Sequence, residues 1–576
     1  MDEFAHSSIV QLYQQLEQLQ TELQNPPFEA TLSNRLNVFA KDWLSFAKAK
    51  PDLLFAQPQL HKVDYASSLN LSFNILVYTC LLASRNKLDD AVHQQLLIAA
   101  VCQSAYIPVN HKTKKTHTDR SFPGHALFVL FQSPRWQICR HGLKINTYLV
   151  RSIDIGKNHL ATLDRLHSVL FIAVQLAKLT TATQAKAPDN FALALKKVCL
   201  GAPQNWYPSL RPLLSYPSVI PPGSCVADEH DARQLCLALQ SNKLLLIALA
   251  PDNEPVNQHS IRLVPQTKIT QLYPALRITN SNKLKEYWAI STQTVEGSTA
   301  KIISPWSNKT SLSTVPHSLI AIQTELSSSQ PNVDKIVDIL EQEQAFSAQL
   351  QNIASANSRL MLPIISSRHG LLMNGFDRSY QALLQHCLLS RLTQDVFPLQ
   401  NKLLNFTQLF CFTADELAKL SGKNASDLAS TVCLFAVSYY FIAPSIRTRL
   451  HWQLHPHEHY KLSHLFRLQQ AEQFSQFPVK LAKAWQQPPQ VLTILQQLFS
   501  HTSQDTLKPT TNPMLNIIGL ALIAARKIYF AQAPECKQTA LFEQNALRQL
   551  KLETQQFTQL RTEIALKNQV FCSFNA

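Results

Sequence analysis

Along most of this 576-residue chain the apolar residues recur at helical spacing. Ile9, Leu12, Leu16, Leu19 and Leu23 follow one another at three- and four-residue steps, which puts them on one face of a helix over residues 8–24. Asn25-Pro26-Pro27 ends that helix, because proline lacks the N–H that would continue it. Such a short seam serves packing against the body of the protein, with a dimer contact through residues 8–24 as the alternative. From about 34 to 200 the pattern remains helical, with apolar runs at 69–82 and 96–102. Tyr216-Pro217 and Ile220-Pro221-Pro222-Gly223-Ser224 then break it. The runs 234–239, 244–249, 288–294, 301–305 and 318–324 are short and bounded by turn residues, so they read as strands, with Gly297 at a hairpin corner. Ser327-Ser328-Ser329-Gln330-Pro331 reads as a linker. Helical periodicity returns at 334–340, 428–441, 480–485 and a terminal helix around 540–566. The expected fold is mostly α: an N-terminal helix (1–30), a helical domain (31–223), a small β-containing segment (224–326) and a second helical domain with a C-terminal helix (327–576).

Composition narrows the chemistry. The chain has only 10 glycines, under 2% against about 7% in average usage. No GxGxxG and no GxxxxGK[ST] occurs, which excludes the dinucleotide fingerprint and the P-loop. No GxSxG marks a serine nucleophile either. The 53 Lys and Arg against 38 Asp and Glu give a formal charge of +15 that is scattered. Its densest run, Lys112, Lys114, Lys115 and Arg120, has no interleaved aromatic residues, so nucleic acid is an unlikely partner. The 11 cysteines form no CxxC, and with Asp2 and Glu3 opening a chain that has no signal-peptide pattern, a reducing cytoplasmic location is expected. The apolar stretches 166–179, 432–444 and 515–525 fall short of a clean span of about 18–20 residues, so they predict core helices and no membrane crossing.

A more specific pattern lies in residues 70–108. An apolar helix, an acidic break at Asp89-Asp90, and a helix ending Ala99-Ala100-Val101-Cys102-Gln103-Ser104 with Ile107-Pro108 beyond resemble the HD superfamily of metal-dependent phosphohydrolases, in its HD-GYP branch. In that family a His opens the first helix and a His-Asp pair follows in an AALLHDIGxxxIP-like run. Here the first position falls at Asn70 or Leu71 and the pair at Gln103-Ser104, and neutral Gln and Ser are poor substitutes for an imidazole and a bridging carboxylate. Residues 163–171 (LDRLHSVLF) resemble the family's helix carrying a metal-binding Asp, with Phe171 where the carboxylate would stand. The His-His-Glu and Gly-Tyr-Pro region falls near 138–143, where His141 alone survives. Tyr207-Pro208-Ser209-Leu210 and Pro221-Pro222-Gly223-Ser224-Cys225-Val226 resemble the tail of the same family, and the likeness spans roughly 60–300.

Residues 333–530 are similar to the HDOD domain, a non-catalytic relative found in bacterial signalling proteins. The matching pieces are 350–358 (LQNIASANS), 364–375 ending at Gly375, and 477–488 (FPVKLAKAWQQP), in which Trp485 and Pro488 match an LAxxWxxP helix and turn. The superfamily His-Asp position would lie near Ser438-Tyr439. The resemblance therefore implies two HD-superfamily-like helical domains joined by a small strand-containing segment, both lacking the metal ligands.

Histidines remain in both halves: His111, His117, His125, His141, His159 and His167 in the first, and His455, His457, His459 and His464 around Glu458 in the second. Without a defined ligand set they read as structural or surface residues, and neither a metal nor another cofactor is expected. The leading expectation is a non-catalytic signalling or regulatory protein that binds other proteins. The alternatives are a phosphodiesterase with a non-standard metal site, and a cyclic di-GMP receptor without hydrolysis, with Arg135, Arg140, Arg151 and Arg165 as phosphate contacts.

Overall fold

Ser8 starts the first helix with a reciprocal cap: its hydroxyl accepts from the Gln11 N–H, and the Gln11 side chain accepts from the Ser8 N–H. The helix that follows, α1 (Ile9–Leu23), buries Ile9, Leu12, Leu16, Leu19 and Leu23. It packs against the second, fourth and fifth helices of the chain, so the seam is buried against the body of the protein. In this computed structural model the described residues are 8–107, 122–145, 164–183, 187–229, 233–240, 243–250, 261–280, 288, 312–326, 328, 330–357, 363–422, 426–454, 457–466, 471–500, 512–530 and 536–568. They fall into two compact units, 1–308 and 309–576.

The first unit continues with α2 (Leu32–Ala49), α3 (Pro51–Ala56), β1 (Leu60–Lys62), α4 (Ser67–Arg85), α5 (Asp90–Ser104), α6 (Gly124–Leu130), α7 (Gln137–Leu143), α8 (Arg165–Thr180), α9 (Phe191–Gly201) and the single turn α10 (Tyr207–Leu210). Helix α4 is the axis of its core, buried from Leu69 to Ser84. Even its polar residues have inward partners: Asn74 donates to the Thr181 hydroxyl at 2.9 Å and Tyr78 to the Thr180 hydroxyl at 3.2 Å. At the other end Arg165 donates to the Asn86 carbonyl at 3.2 Å, so α4 and α8 run antiparallel and are pinned at both ends.

Five antiparallel strands follow: β2 (Cys225–Ala227), β3 (Arg233–Gln240), β4 (Lys243–Ala248), β5 (Arg262–Pro265) and β6 (Gln271–Leu272), in the order β5-β4-β3-β2-β6. The short strand β7 (Leu276–Ile278) returns to pair in parallel with β1. That pairing, and the packing of α3 against β3, make the strands part of the first unit. Within the 224–326 segment the strands group with the first unit and the last helix with the second.

In the second unit the order is α11 (His317–Leu326), α12 (Val333–Gln342), α13 (Gln344–Asn357), α14 (Ser367–Asn374), α15 (Phe376–Leu392), α16 (Gln400–Leu420), α17 (Ser426–Ile442), α18 (Pro444–Arg447), α19 (Ala471–Ala484), α20 (Pro489–Ser500), α21 (Pro513–Phe530), α22 (Lys537–Leu550) and α23 (Thr554–Asn568). Two expectations are corrected here. Residues 318–324 form helix α11 and not a strand, because Leu319 and Ile322, three apart, are the positions buried. The terminal helix is two helices: Lys551 adopts the left-handed conformation (φ 56°), and the Leu552 N–H closes on the Leu547 carbonyl at 3.0 Å. Apart from Trp288, the expected strands 288–294 and 301–305 and the Gly297 corner lie outside the described residues. The fold is mostly α. Helices α4 and α21 are long and apolar enough to cross a membrane, yet 89% and 83% of their apolar windows are buried inside the protein.

Candidate functional site

The sequence pointed to Asn70, Gln103, Ser104, His141 and Phe171 as one emptied metal site, and each now has a definite environment. Asn70, in the first turn of α4, donates to the carbonyls of Lys62 (3.0 Å) and Tyr65 (3.2 Å). With Lys62, Asn74, Thr180 and Thr181 it lines a small polar pocket. Gln103, near the end of α5, donates to the Gly142 carbonyl at 2.7 Å. The Ser104 hydroxyl donates to the Val101 carbonyl at 3.0 Å and accepts from Gln20 on α1 at 3.4 Å. Phe171 lies against Trp206, ring centroids 5.4 Å apart. These four side chains have four different sets of partners. All four are neutral, and two of the amide groups are spent on backbone carbonyls. A catalytic metal of the superfamily type does not fit them.

His141 belongs to a different constellation, which the spacing of the chain did not reveal. Asp164 is the N-cap of α8, and one carboxylate oxygen accepts the His167 N–H at 2.8 Å, as a cap residue does for a donor three positions on. Its other oxygen is hydrogen-bonded to Nε2 of His141, at the end of α7. The His141 and His167 rings stack with centroids 3.9 Å apart and planes 22° from parallel. His167 Nε2 lies 2.8 Å from the His141 carbonyl oxygen, and its Nδ1 lies 3.5 Å from the Asp164 carboxylate. One ligand atom from each of the three residues falls within 4.8 Å of the others.

The electrostatics follow from those contacts. Burial alone would raise the Asp164 carboxyl. The His141 hydrogen bond, the His167 N–H and the two imidazoles outweigh it and hold the group down at about 2, so it is ionised at neutral pH. Burial pushes His167 below the ordinary histidine value; Asp164 and the His141 carbonyl oppose that, while His141 and Lys144 add to it. Gln103 touches this group indirectly, through the carbonyl of Gly142 beside His141.

Of the four candidate arginines, Arg135 and Arg165 have partners within the protein. Arg165 is committed to Asn86, through both its carbonyl and its side-chain oxygen. The Arg135 guanidinium lies 4.8 Å from the centre of the Trp136 ring. Arg140 keeps a buried Nε without a partner among the described residues, and Arg151 lies outside them. So do His111, His117, His159, His455 and the basic run at 112–120. Glu458 itself lies in a non-helical stretch with φ 47°, ahead of a single 3-10 turn at Leu462–His464. Its carboxylate pairs with Lys461 at 2.7 Å and with His464 at 3.4 Å, and the lysine supplies the charge a metal would otherwise bring. In the second unit Trp485 is buried and donates to the Leu312 carbonyl at 2.7 Å, and Pro488 precedes α20. Gly375 joins α14 to α15 at φ 77°, and Ser438 donates to the Phe435 carbonyl at 2.6 Å.

No protein-family model and no curated protein matches this chain. Two solved structures are similar to part of it. An HDOD-domain protein of unknown function from Geobacter sulfurreducens is 17% identical, covering 44% of this chain and 91% of its own, with a TM-score of 0.32. A protein from Shewanella amazonensis SB2B, provisionally assigned as a metal-dependent phosphohydrolase, is 13% identical with the same coverages and a TM-score of 0.32.

Proposed function

We propose that this chain is a cytoplasmic, non-catalytic regulatory protein of the HD and HDOD type that acts by binding other proteins. The observation that carries this reading is the use of Gln103 and Asn70. Where the resembled enzymes hold metal ligands, these amides tie α5 to the α7 turn and α4 to the β1 turn. A side chain that satisfies a buried carbonyl is a structural member, and losing it leaves that carbonyl unpaired. The second unit carries its resemblance in Trp485 and Gly375, which are a core anchor and a turn. In this reading both helical units are scaffolds that present surfaces.

A second reading has one observation in its favour. His141, Asp164 and His167 are two imidazoles and an ionised carboxylate close together, the donor types of metal-assisted hydrolysis. Under it the chain would be a phosphodiesterase with a displaced site. The two part in a calorimetric titration and a turnover assay, both with cyclic di-GMP and the full chain. Flat heats and no product are expected for the protein-binding role. A saturable one-to-one heat without product would make the chain a nucleotide receptor, and EDTA-sensitive product would make it an enzyme.

A further inference from the structure

We propose that His141, Asp164 and His167 form a binding site for a divalent transition metal of the zinc type, clamping the end of α7 to the start of α8. The site does not rest on the regulatory reading, and it uses none of the Asn70, Gln103, Ser104 and Phe171 side chains, although Gln103 braces it through the Gly142 carbonyl.

The first argument is the tautomer of His167. A carbonyl oxygen only accepts, so the nitrogen 2.8 Å from the His141 carbonyl, Nε2, is the one that carries the hydrogen. The lone pair of the neutral ring is then on Nδ1, directed to the side where Asp164 lies. A metal-binding histidine is held in this way, its second nitrogen donating to a backbone carbonyl that fixes the ring and raises its basicity.

The second argument is what the lone pair meets. Nδ1 and the nearer Asp164 oxygen are 3.5 Å apart, and in that tautomer both are acceptors. Two acceptors facing each other across a gap want a cation between them. Tetrahedral coordination with bonds of about 2.0–2.1 Å sets ligand atoms roughly 3.4 Å apart, so this pair already has the required separation. His141 Nε2 and its carboxylate oxygen are in direct hydrogen-bond contact, so this pair would have to part, with the His141 ring turning on its stack with His167, to admit the ion.

The third argument is shape and charge. His167 is the deep member, with its side chain 10% exposed; His141 is 25% exposed and Asp164 46%. The partial exposure of His141 and Asp164 leaves water access to the cluster. Two nitrogens and one carboxylate oxygen suit zinc, cobalt and nickel better than magnesium or calcium, which take oxygen sets. The ion would fasten residues 23 apart in sequence and hold both helix ends in place.

The test uses the full chain, freed of any affinity tag and treated with chelator. Zinc is added in competition with a chromophoric chelator, and Co2+ is added to a second sample to read its visible absorption. We expect one equivalent of zinc per chain, a Co2+ spectrum of a low-coordinate site, and at least about tenfold weaker zinc binding in His141→Ala and Asp164→Asn. Asp164→Asn is chosen because asparagine caps a helix as well as aspartate does, so α8 keeps its start while the charged ligand is lost. His125→Ala, outside the cluster, should bind as the wild type does. Absence of binding in the wild type overturns the site, and so does wild-type affinity in both cluster variants.

Discussion

Lys62 sits in an environment far from what its chemistry prefers. It is 1% exposed, its ammonium donating to the Gln57 carbonyl at 3.0 Å and side-chain oxygen at 3.2 Å, and it sits 5.2 Å from the centre of the Tyr13 ring. Burial lowers its pKa to about 7, with the charge of Asp64 opposing the shift. In the unfolded chain a lysine keeps its proton up to about 10.4. Between about pH 7 and 10 the unfolded state therefore binds the extra proton, and stability rises with pH at up to about 1.4 kcal/mol per unit. Denaturant unfolding at two pH values in that window should show the gain in wild type, and Lys62→Met should remove most of it. An unchanged slope in the variant would mean that Lys62 is solvated. Gln103→Ala should cost about 1–3 kcal/mol in the same measurement, because the Gly142 carbonyl loses its donor. None of this could be read from residue spacing. Asn70, Gln103 and Phe171 were legible as non-ligands from their chemistry alone. The meeting of His141 with Asp164 spans 23 positions and two helices, which no local pattern encodes. The one local signal was the Asp164-to-His167 spacing, which is that of a helix cap.

At the level of elements, helices were legible wherever one face is apolar. The seam of α1 and the apolar run of α4 fall where periodicity put them. Ends set by backbone conformation were not legible, because Lys551 gives no sign of the left-handed turn it adopts. Replacing it with glycine should stabilise the protein by about 1 kcal/mol, read as a raised denaturation midpoint, since the left-handed state costs glycine nothing. Two of the few glycines make a graded test. At Gly375 the φ of 77° alone forbids a side chain, as nothing lies within 4 Å of an added Cβ. At Gly223 the φ is 85° and an added Cβ would come 2.5 Å from the Ala56 carbonyl oxygen, which belongs to the backbone of α3. Gly375→Ala should cost about 1–3 kcal/mol and Gly223→Ala more, by urea unfolding. Equal losses would mean that the strand segment does not press on α3. The run 318–324 was ambiguous for a different reason, since five small and apolar residues fit either period and only packing chooses.

For the whole molecule, the two-unit division makes residues 309–576 a candidate for independent folding. Expressed alone, that segment should be helical by circular dichroism and unfold cooperatively; a molten spectrum would contradict the division. The sequence located two helical halves, but it drew the strands as a separate piece because pairing of β1 with β7 joins positions more than two hundred residues apart. The central claim concerns catalysis. It is tested most directly by single-turnover hydrolysis of cyclic di-GMP, with the full chain in excess and Mn2+ or Zn2+ saturating. The account predicts no product above the protein-free control, with wild type and Asp164→Asn indistinguishable. Metal-dependent product that EDTA abolishes and that Asp164→Asn lowers at least about a hundredfold would contradict it and make the His141, Asp164 and His167 cluster a catalytic centre.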